Sequence, residues 1–247
     1  MTTPLQAATS WSLSPFTTQT WVKNISDATS TVQYPIKLLR YWFMYHLIRE
    51  QQIKLGRPLR VCEIGVDRGQ MRRYVQDAGF TELACWEAVD YKLQAELNES
   101  GYTKQIQANV DLPEFALAEQ YDVIIVLHLL EHLFEPEKLA EKLATALTPD
   151  GILIGGFPAV PQFMQAHRQA SIRKTAADFG HVSTFSPQRV QAMARQSGLK
   201  LEFLSGTYFL RKRRFVLENY PCWVRLNLLW GALCPSLGGE LYWSMRK

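Results

Sequence analysis

The sequence predicts an α/β protein: a mostly parallel sheet covered by helices on both faces. Three observations carry that expectation. From residue 59 onward, short apolar runs alternate with amphipathic ones, as in a chain of βαβ units. The run Val123-Ile124-Ile125-Val126 is β-branched and unbroken, as a strand buried on both faces requires. Hydrophobic residues make up 47% of the 247 and charged residues 20%, which suits a packed core and excludes a disordered chain.

Residues 1–33 are rich in Ser and Thr, carry isolated Trp11, Phe16 and Trp21, and show no sustained periodicity. They read as an arm, loose or packed through its aromatics, ahead of one domain over 34–247. Ile36, Leu38, Leu39, Trp42, Phe43, Tyr45, His46 and Ile48 then recur at helical spacing, and Gly56-Arg57-Pro58 ends that helix. Strand 59–64 follows, then helix 70–78 closed by Gly79, strand 83–89, helix 92–98, strand 103–107 and a brief helix at 113–118. Residues 121–128 form the doubly buried strand and 136–147 a helix. Thr148-Pro149-Asp150-Gly151 turns into strand 152–157. Ser186 before Pro187 starts a helix that Gly198 stops; strand 199–204 follows, and 238–246 is expected as a last, edge strand. That makes seven strands, with an insertion at about 207–237 that holds Arg211-Lys212-Arg213-Arg214, Trp223 and Trp230.

The formal charge of +4 is mild, and no basic, aromatic stripe covers the sheet, so nucleic acid is not an expected partner. No run reaches the ~18 apolar residues that span a bilayer, and Met-Thr-Thr-Pro-Leu-Gln does not read as a secretory leader. Cys62, Cys85, Cys222 and Cys234 are scattered without a Cys-x-x-Cys pair. They point to reduced thiols in a cytoplasmic protein, not to zinc or a disulfide framework. The insertion joins cations to Trp and Leu, which suits peripheral contact with an anionic membrane or cover over an amphiphilic substrate. A helical lid packed on the sheet is the alternative.

In open α/β sheets ligands sit at the carboxyl ends of strands, so the turn after the first strand comes first. It reads Glu63-Ile64-Gly65-Val66-Asp67-Arg68-Gly69-Gln70. A dinucleotide fingerprint would place glycines at 65, 67 and 70, and Glu63 and Asp67 would repel a pyrophosphate; an NAD site is disfavoured. The same two carboxylates suit an ammonium group and a sulfonium. Asp90, at the second strand's end, is placed to accept ribose hydroxyls, and Tyr91 to cover a purine face.

With these pieces the chain resembles the class I S-adenosylmethionine-dependent methyltransferases, in the subgroup that carries Leu-Glu-His. The resemblance rests on Glu63-x-Gly65-x-x-x-Gly69, on Asp90, on Tyr121-Asp122 through His128-Leu129-Leu130-Glu131-His132-Leu133, on Leu147 to Gly151, and on Phe179-Gly180-His181-Val182-Ser183-Thr184-Phe185-Ser186-Pro187. It spans roughly residues 57–205 and implies a Rossmann-like fold and S-adenosylmethionine as cofactor. Residue by residue, it implies Glu63, Gly65 and Gly69 at the methionine end, Asp90 at the ribose, Asn109 and its neighbours by the adenine, and Leu129 and Leu130 in the pocket wall. Asp67 stands where the family usually has Gly, and Asp tolerates the left-handed conformation such a turn needs.

His128, Glu131 and His132 also spell His-x-x-Glu-His, a zinc signature when it lies within a helix. Here it starts where a strand ends, which disfavours a metal-dependent hydrolase. Some methyltransferases that resemble this region hold a divalent metal through it; His128, Glu131, His132 and His181 are the candidates here, and the sequence leaves the metal unknown. Without one, His132 or His181 is the candidate general base, with Glu131 beside them. The alternative is that Glu131 and His132 only brace the loop. The expected activity is methylation of a small or amphiphilic acceptor, glycan- or lipid-linked acceptors included, at oxygen; a non-catalytic cofactor binder of the same fold is the runner-up.

Overall fold

The computed structural model describes residues 2–17, 33–174, 180–208 and 216–247. Trp21, Phe179 and the basic run 211–214 lie outside them. Seven strands form one sheet: β1 Leu59–Ile64, β2 Leu83–Asp90, β3 Lys104–Gln107, β4 Tyr121–Leu127, β5 Leu147–Pro158, β6 Lys200–Thr207 and β7 Glu240–Arg246. Their order is β3-β2-β1-β4-β5-β7-β6, with β1 to β5 parallel and β7 antiparallel to both its neighbours. Among the described residues the α-helices longer than a single turn are α1 Pro4–Ser10, α2 Leu39–Leu55, α3 Gln70–Asp77, α4 Pro136–Thr145, α5 Gln162–Lys174, α6 Pro187–Gln196 and α7 Pro221–Leu233.

Strand alternation divides the core in two. Val61, Val123, Ile125, Ile152 and Ile154 face a layer built from α1, α2, α3 and α7. Cys62, Ile64, Ile124, Val126 and Leu153 face α4 and α6 on the other side. A period of two with both parities apolar is what buries a sheet from both sides. The helices start and stop where their ends are chemically provided for. Ser186 accepts the Arg189 N–H and caps α6, Gly56 at φ 64° closes α2, and Gly198 at φ 67° follows α6.

The described part of the N-terminal arm packs through its aromatics. Trp11 stacks on His46 at 4.7 Å and on Phe203 at 5.5 Å, while Phe16 stacks on Trp42 at 5.8 Å. Burial in this aromatic cluster lowers the His46 pKa to about 4. The four cysteines are free thiols, and no described helix is long and apolar enough to cross a membrane.

Three expectations need correction. Strand 238–246 is not at the edge: β7 lies between β5 and β6, and all seven of its residues are buried. Helix 92–98 is only a 3-10 turn, Ala95–Glu99, because Leu97 alone is buried to anchor it. Residues 113–118 form no helix; Phe115 is their one buried apolar residue, and isolated turn bonds such as Phe115 N–H to Leu112 O, at 3.1 Å, hold the segment. α5, which the sequence did not announce, has no buried residue and hence no apolar stripe.

Candidate functional site

Strand order reverses between β1 and β4, which opens a crevice at their carboxyl ends. There the chain leaves β1 through Gly65 at φ 77°, Asp67 at φ 47° and Gly69 at φ 69°, the last of which begins α3. Asp67 therefore takes the left-handed conformation, and its N–H donates to Asp90 Oδ2 at 3.0 Å. The other oxygen of Asp90 accepts Lys92 N–H at 3.1 Å, so one carboxylate holds the turn after β1 and the end of β2 together. A Cβ on Gly65 would meet the Leu129 side chain at 3.2 Å, and one on Gly69 would meet Ser100 Oγ at 2.7 Å. Both positions need glycine for space as well as for φ.

Gly65 divides two cavities and lines both. The first, about 220 Å³, is walled by Arg40, Tyr41, Glu63, Asp67 and His128. The second, about 490 Å³, is walled by Asp90, Tyr91, Asn109, Leu129 and His132. The sequence-predicted cofactor residues other than Gly69 and Leu130 thus line one cavity or the other. Gly69 acts through the turn. Leu130 is a correction: it is buried in the core beneath and does not line the cavity. A third cleft, about 450 Å³, lies at the opposite end of the sheet. Its ionic groups are already paired, as in Arg246 to Glu202 at 2.6 Å.

Glu63 is 4% exposed and accepts hydrogen bonds from Tyr102 Oη at 2.8 Å and Trp86 Nε1 at 3.1 Å. Burial pushes its pKa up to about 7 against the pull of those two donors. Burial thus makes this cavity-wall carboxyl easier to protonate than an exposed one.

Across this cavity lies a charged network that the sequence did not reveal. Arg40, from α2, pairs with Glu240, the first residue of β7, at 3.2 Å. Glu240 also faces His128 Nε2 at 3.7 Å and accepts from Tyr242 Oη. Burial alone would raise Glu240, but His128, Arg40 and Tyr242 outweigh it and hold the carboxylate down at about 2. His128 sits at φ 54° just past β4 and bonds Glu131 Oε1 through Nδ1 at 3.0 Å. Burial opposes its charge, yet the two carboxylates raise its pKa above the usual imidazole value. Arg40 and Glu240 are 200 residues apart, so no local pattern pairs them. The one signal available was a carboxylate opening the otherwise apolar strand Leu241-Tyr242-Trp243.

Glu131 and His132 lie on a 3-10 turn, Leu130–His132, so His-x-x-Glu-His is not helical and the zinc hydrolase reading loses its scaffold. The Glu131 carbonyl accepts the Val182 and Ser183 N–H groups at 2.8 and 3.0 Å, which brings His181 alongside. His132 and His181 meet edge to face with ring centroids 4.9 Å apart. One donor atom each from Glu131, His132 and His181 lies within 4.8 Å of the others. Glu131 Oε2 is buried there without a hydrogen-bond partner. A buried carboxylate oxygen beside two imidazoles fits a divalent cation, and the nitrogen-rich set suits zinc better than magnesium. His128 is engaged with Glu131 and Glu240 and stands outside that set.

A sequence profile described as a methyltransferase domain matches residues 37–203. No curated protein sequence matches the chain. Among solved structures, the 1,6-didemethyltoxoflavin-N1-methyltransferase of Burkholderia thailandensis, with 1,6-didemethyltoxoflavin and S-adenosylhomocysteine bound, superposes with a TM-score of 0.53 at 15% identity over 83% of this chain and 78% of that one. The N-methyltransferase NodS of Bradyrhizobium japonicum, bound to S-adenosylhomocysteine, gives 0.51 at 13% over 83% and 85%. An S-adenosylmethionine-dependent methyltransferase from Mesorhizobium loti gives 0.52 at 14% over 77% and 92%. With a family match over more than half its length and this sheet order, the chain belongs to the methyltransferase-domain family, and it is a class I S-adenosylmethionine-dependent methyltransferase.

Proposed function

We propose that the chain methylates a hydroxyl of a small or amphiphilic acceptor, with the cofactor lying across Gly65. The observation that carries this reading is the pair of cavities joined at that glycine, with an ionisable buried carboxyl on one side and the Asp90 loop on the other. S-adenosylmethionine supplies, when bound, a methyl group already activated on a sulfonium. Glu63 takes the ammonium of the methionine end, and Arg40, whose Nε has no partner, attracts the carboxylate. Asp90 accepts the ribose hydroxyls, while Tyr91, Asn109 and Leu129 enclose the base. A Cβ added to Gly65 would stand 3.2 Å from the Leu129 side chain, so turn and wall lie close here.

Since the methyl is activated in advance, catalysis rests mainly on alignment and exclusion of water. An oxygen acceptor must also lose its proton, and His132 or His181 takes it; His132 in the cavity wall, with His181 against it, is what favours oxygen over nitrogen here. Glu131, His132 and His181 would together hold a divalent cation, which would lower the pKa of an acceptor hydroxyl. Mass spectrometry of co-purified nucleosides and isothermal titration with S-adenosylhomocysteine test the cofactor site. Turnover on hydroxylated and aminated acceptors tests the atom: transfer to amines alone overturns the oxygen assignment.

A further inference from the structure

Outside the crevice, one buried carboxyl has an oxygen with no partner among the described residues. Glu218 sits on the 3-10 turn Val216–Asn219, between β6 and α7, and is 4% exposed. Its Oε1 is buried and makes no hydrogen bond. Burial pushes its pKa up to about 7, and no described cation pulls it back down. A native fold leaves few such atoms, and each calls for a water, an ion or a ligand group to complete it.

The surroundings of Glu218 select that group. Glu218 lines a cavity of about 20 Å³ together with four aromatic residues from separate stretches of the chain. Phe16 and Tyr34 come from ahead of α2, Tyr208 follows β6, and Trp223 lies on α7. Phe16 and Tyr34 meet edge to face with ring centroids 5.7 Å apart. Tyr208 is held at φ 62°, a left-handed conformation that a bulky residue takes only under constraint. The one amide of the wall, Asn227, donates through Nδ2 to the Trp223 carbonyl at 2.9 Å. Two cations on the helices that build the wall are engaged elsewhere. Arg40 of α2 pairs with Glu240 at 3.2 Å, and Arg225 of α7 donates to the Ala8 and Trp11 carbonyls at 2.9 and 2.7 Å.

A carboxylate among aromatic rings is the chemistry that receives an ammonium group. The carboxylate takes its charge and its hydrogen bonds, and aromatic rings attract the cation through their quadrupoles. An anionic ligand would be repelled, and a neutral hydroxyl would leave the buried charge uncompensated. Size narrows the class further. One water needs about 10–15 Å³ of such space, so the cavity of about 20 Å³ admits a primary ammonium and excludes a trimethylated one. Val216 and Leu217, on the same turn, are exposed and offer apolar surface to a short alkyl tail.

We infer that the cavity at Glu218 binds the primary ammonium group of a small alkylamine. Glu218 lines neither cavity of the crevice, and the inference stands whichever acceptor is methylated. Titration calorimetry at pH 8 tests it with n-propylammonium, n-propanol and tetramethylammonium. Saturating S-adenosylhomocysteine is present throughout, so that the Glu63 side is already occupied. n-Propylammonium is expected to bind at one site, roughly tenfold or more tighter than n-propanol, the value of a hydrogen bond to a charged group. Tetramethylammonium should give no heat. Glu218→Gln keeps the shape and removes the charge. It should abolish the preference for ammonium over alcohol, melt no lower than the parent, and leave S-adenosylhomocysteine affinity unchanged. Trp223→Leu removes one ring and should weaken n-propylammonium by roughly threefold or more. No heat from n-propylammonium, equal affinity for n-propanol, or binding that Glu218→Gln leaves intact overturns the inference.

Discussion

Replacing Glu63 by Gln tests the electrostatic reading of the crevice with the sign worked out in advance. The Glu63 pKa stands at about 7 against an ordinary 4.5, because burial penalises the carboxylate. The folded state therefore keeps a proton that the unfolded chain releases between about pH 4.5 and 7. Stability of the ligand-free protein is greatest below that window and falls as pH rises through it. The difference corresponds to about 3 kcal/mol, or roughly 5–10 °C in melting temperature for a domain of this size. Glu63→Gln keeps an oxygen for Tyr102 and Trp86 to donate to and carries no charge. It should flatten this slope and melt higher than the parent at pH 8. The cofactor reverses the sign, since its ammonium favours the ionised carboxyl. S-adenosylhomocysteine should bind the parent about tenfold more tightly for each pH unit from 5 to 7 and level off above, with proton release seen as buffer-dependent heat. The variant should bind weakly at every pH. Parent affinity that does not change between pH 5.5 and 8, or a variant that binds as tightly as the parent at pH 8, refutes the reasoning.

Gly65→Ala should lower cofactor affinity by about tenfold or more and stability by about 1–2 kcal/mol, since it adds a Cβ at φ 77° against Leu129; titration and thermal melts read the two. Glu240→Gln leaves Arg40 buried without its carboxylate and should cost about 3–5 kcal/mol by denaturant titration. The parent should also lose stability in acid as pH falls from 4.5 toward the depressed Glu240 pKa of about 2, a loss the variant lacks. His132→Asn and His181→Asn, made singly, should leave S-adenosylhomocysteine affinity intact while one lowers turnover by about 10²–10⁴-fold; unchanged turnover in both removes the general base. Zinc titrated into chelator-treated protein should bind with one site, and His181→Ala should abolish it.

How much of this was legible in the sequence depended on how local each signal was. β1 was read to the residue because six consecutive positions carry its pattern. The turn after it was equally legible, since Gly65, Asp67 and Gly69 hold the left-handed conformation through their own backbone preferences. Helices 92–98 and 113–118 failed for the complementary reason: local propensity favoured them, but one buried residue apiece could not fix them against the sheet. The edge assignment of 238–246 failed because strand order is a long-range property. The same seven residues read alike at an edge or between β5 and β6 until their burial is known.

The site divides along the same line. Everything read in advance on the cofactor side lies on β1 to β4 and the turns that follow them, where local conformation is set by neighbouring residues. The unread residues Arg40 and Glu240 come from the helix before the sheet and from the last strand, and Tyr102 from the approach to β3. They meet only because the antiparallel β7 carries Glu240 back to the carboxyl end of β5, where Pro158 pairs with it. Arg40 and His128 line the cavity with Glu63, and Glu240 pairs with Arg40 and faces His128. One side of this cavity is thus built by the turn after β1, and the other draws on α2 and the end of β4. Substitution of Arg40, proposed above to attract the methionine carboxylate, should therefore weaken S-adenosylhomocysteine in titration while the Asp67–Asp90 turn keeps its form; unchanged affinity refutes that role.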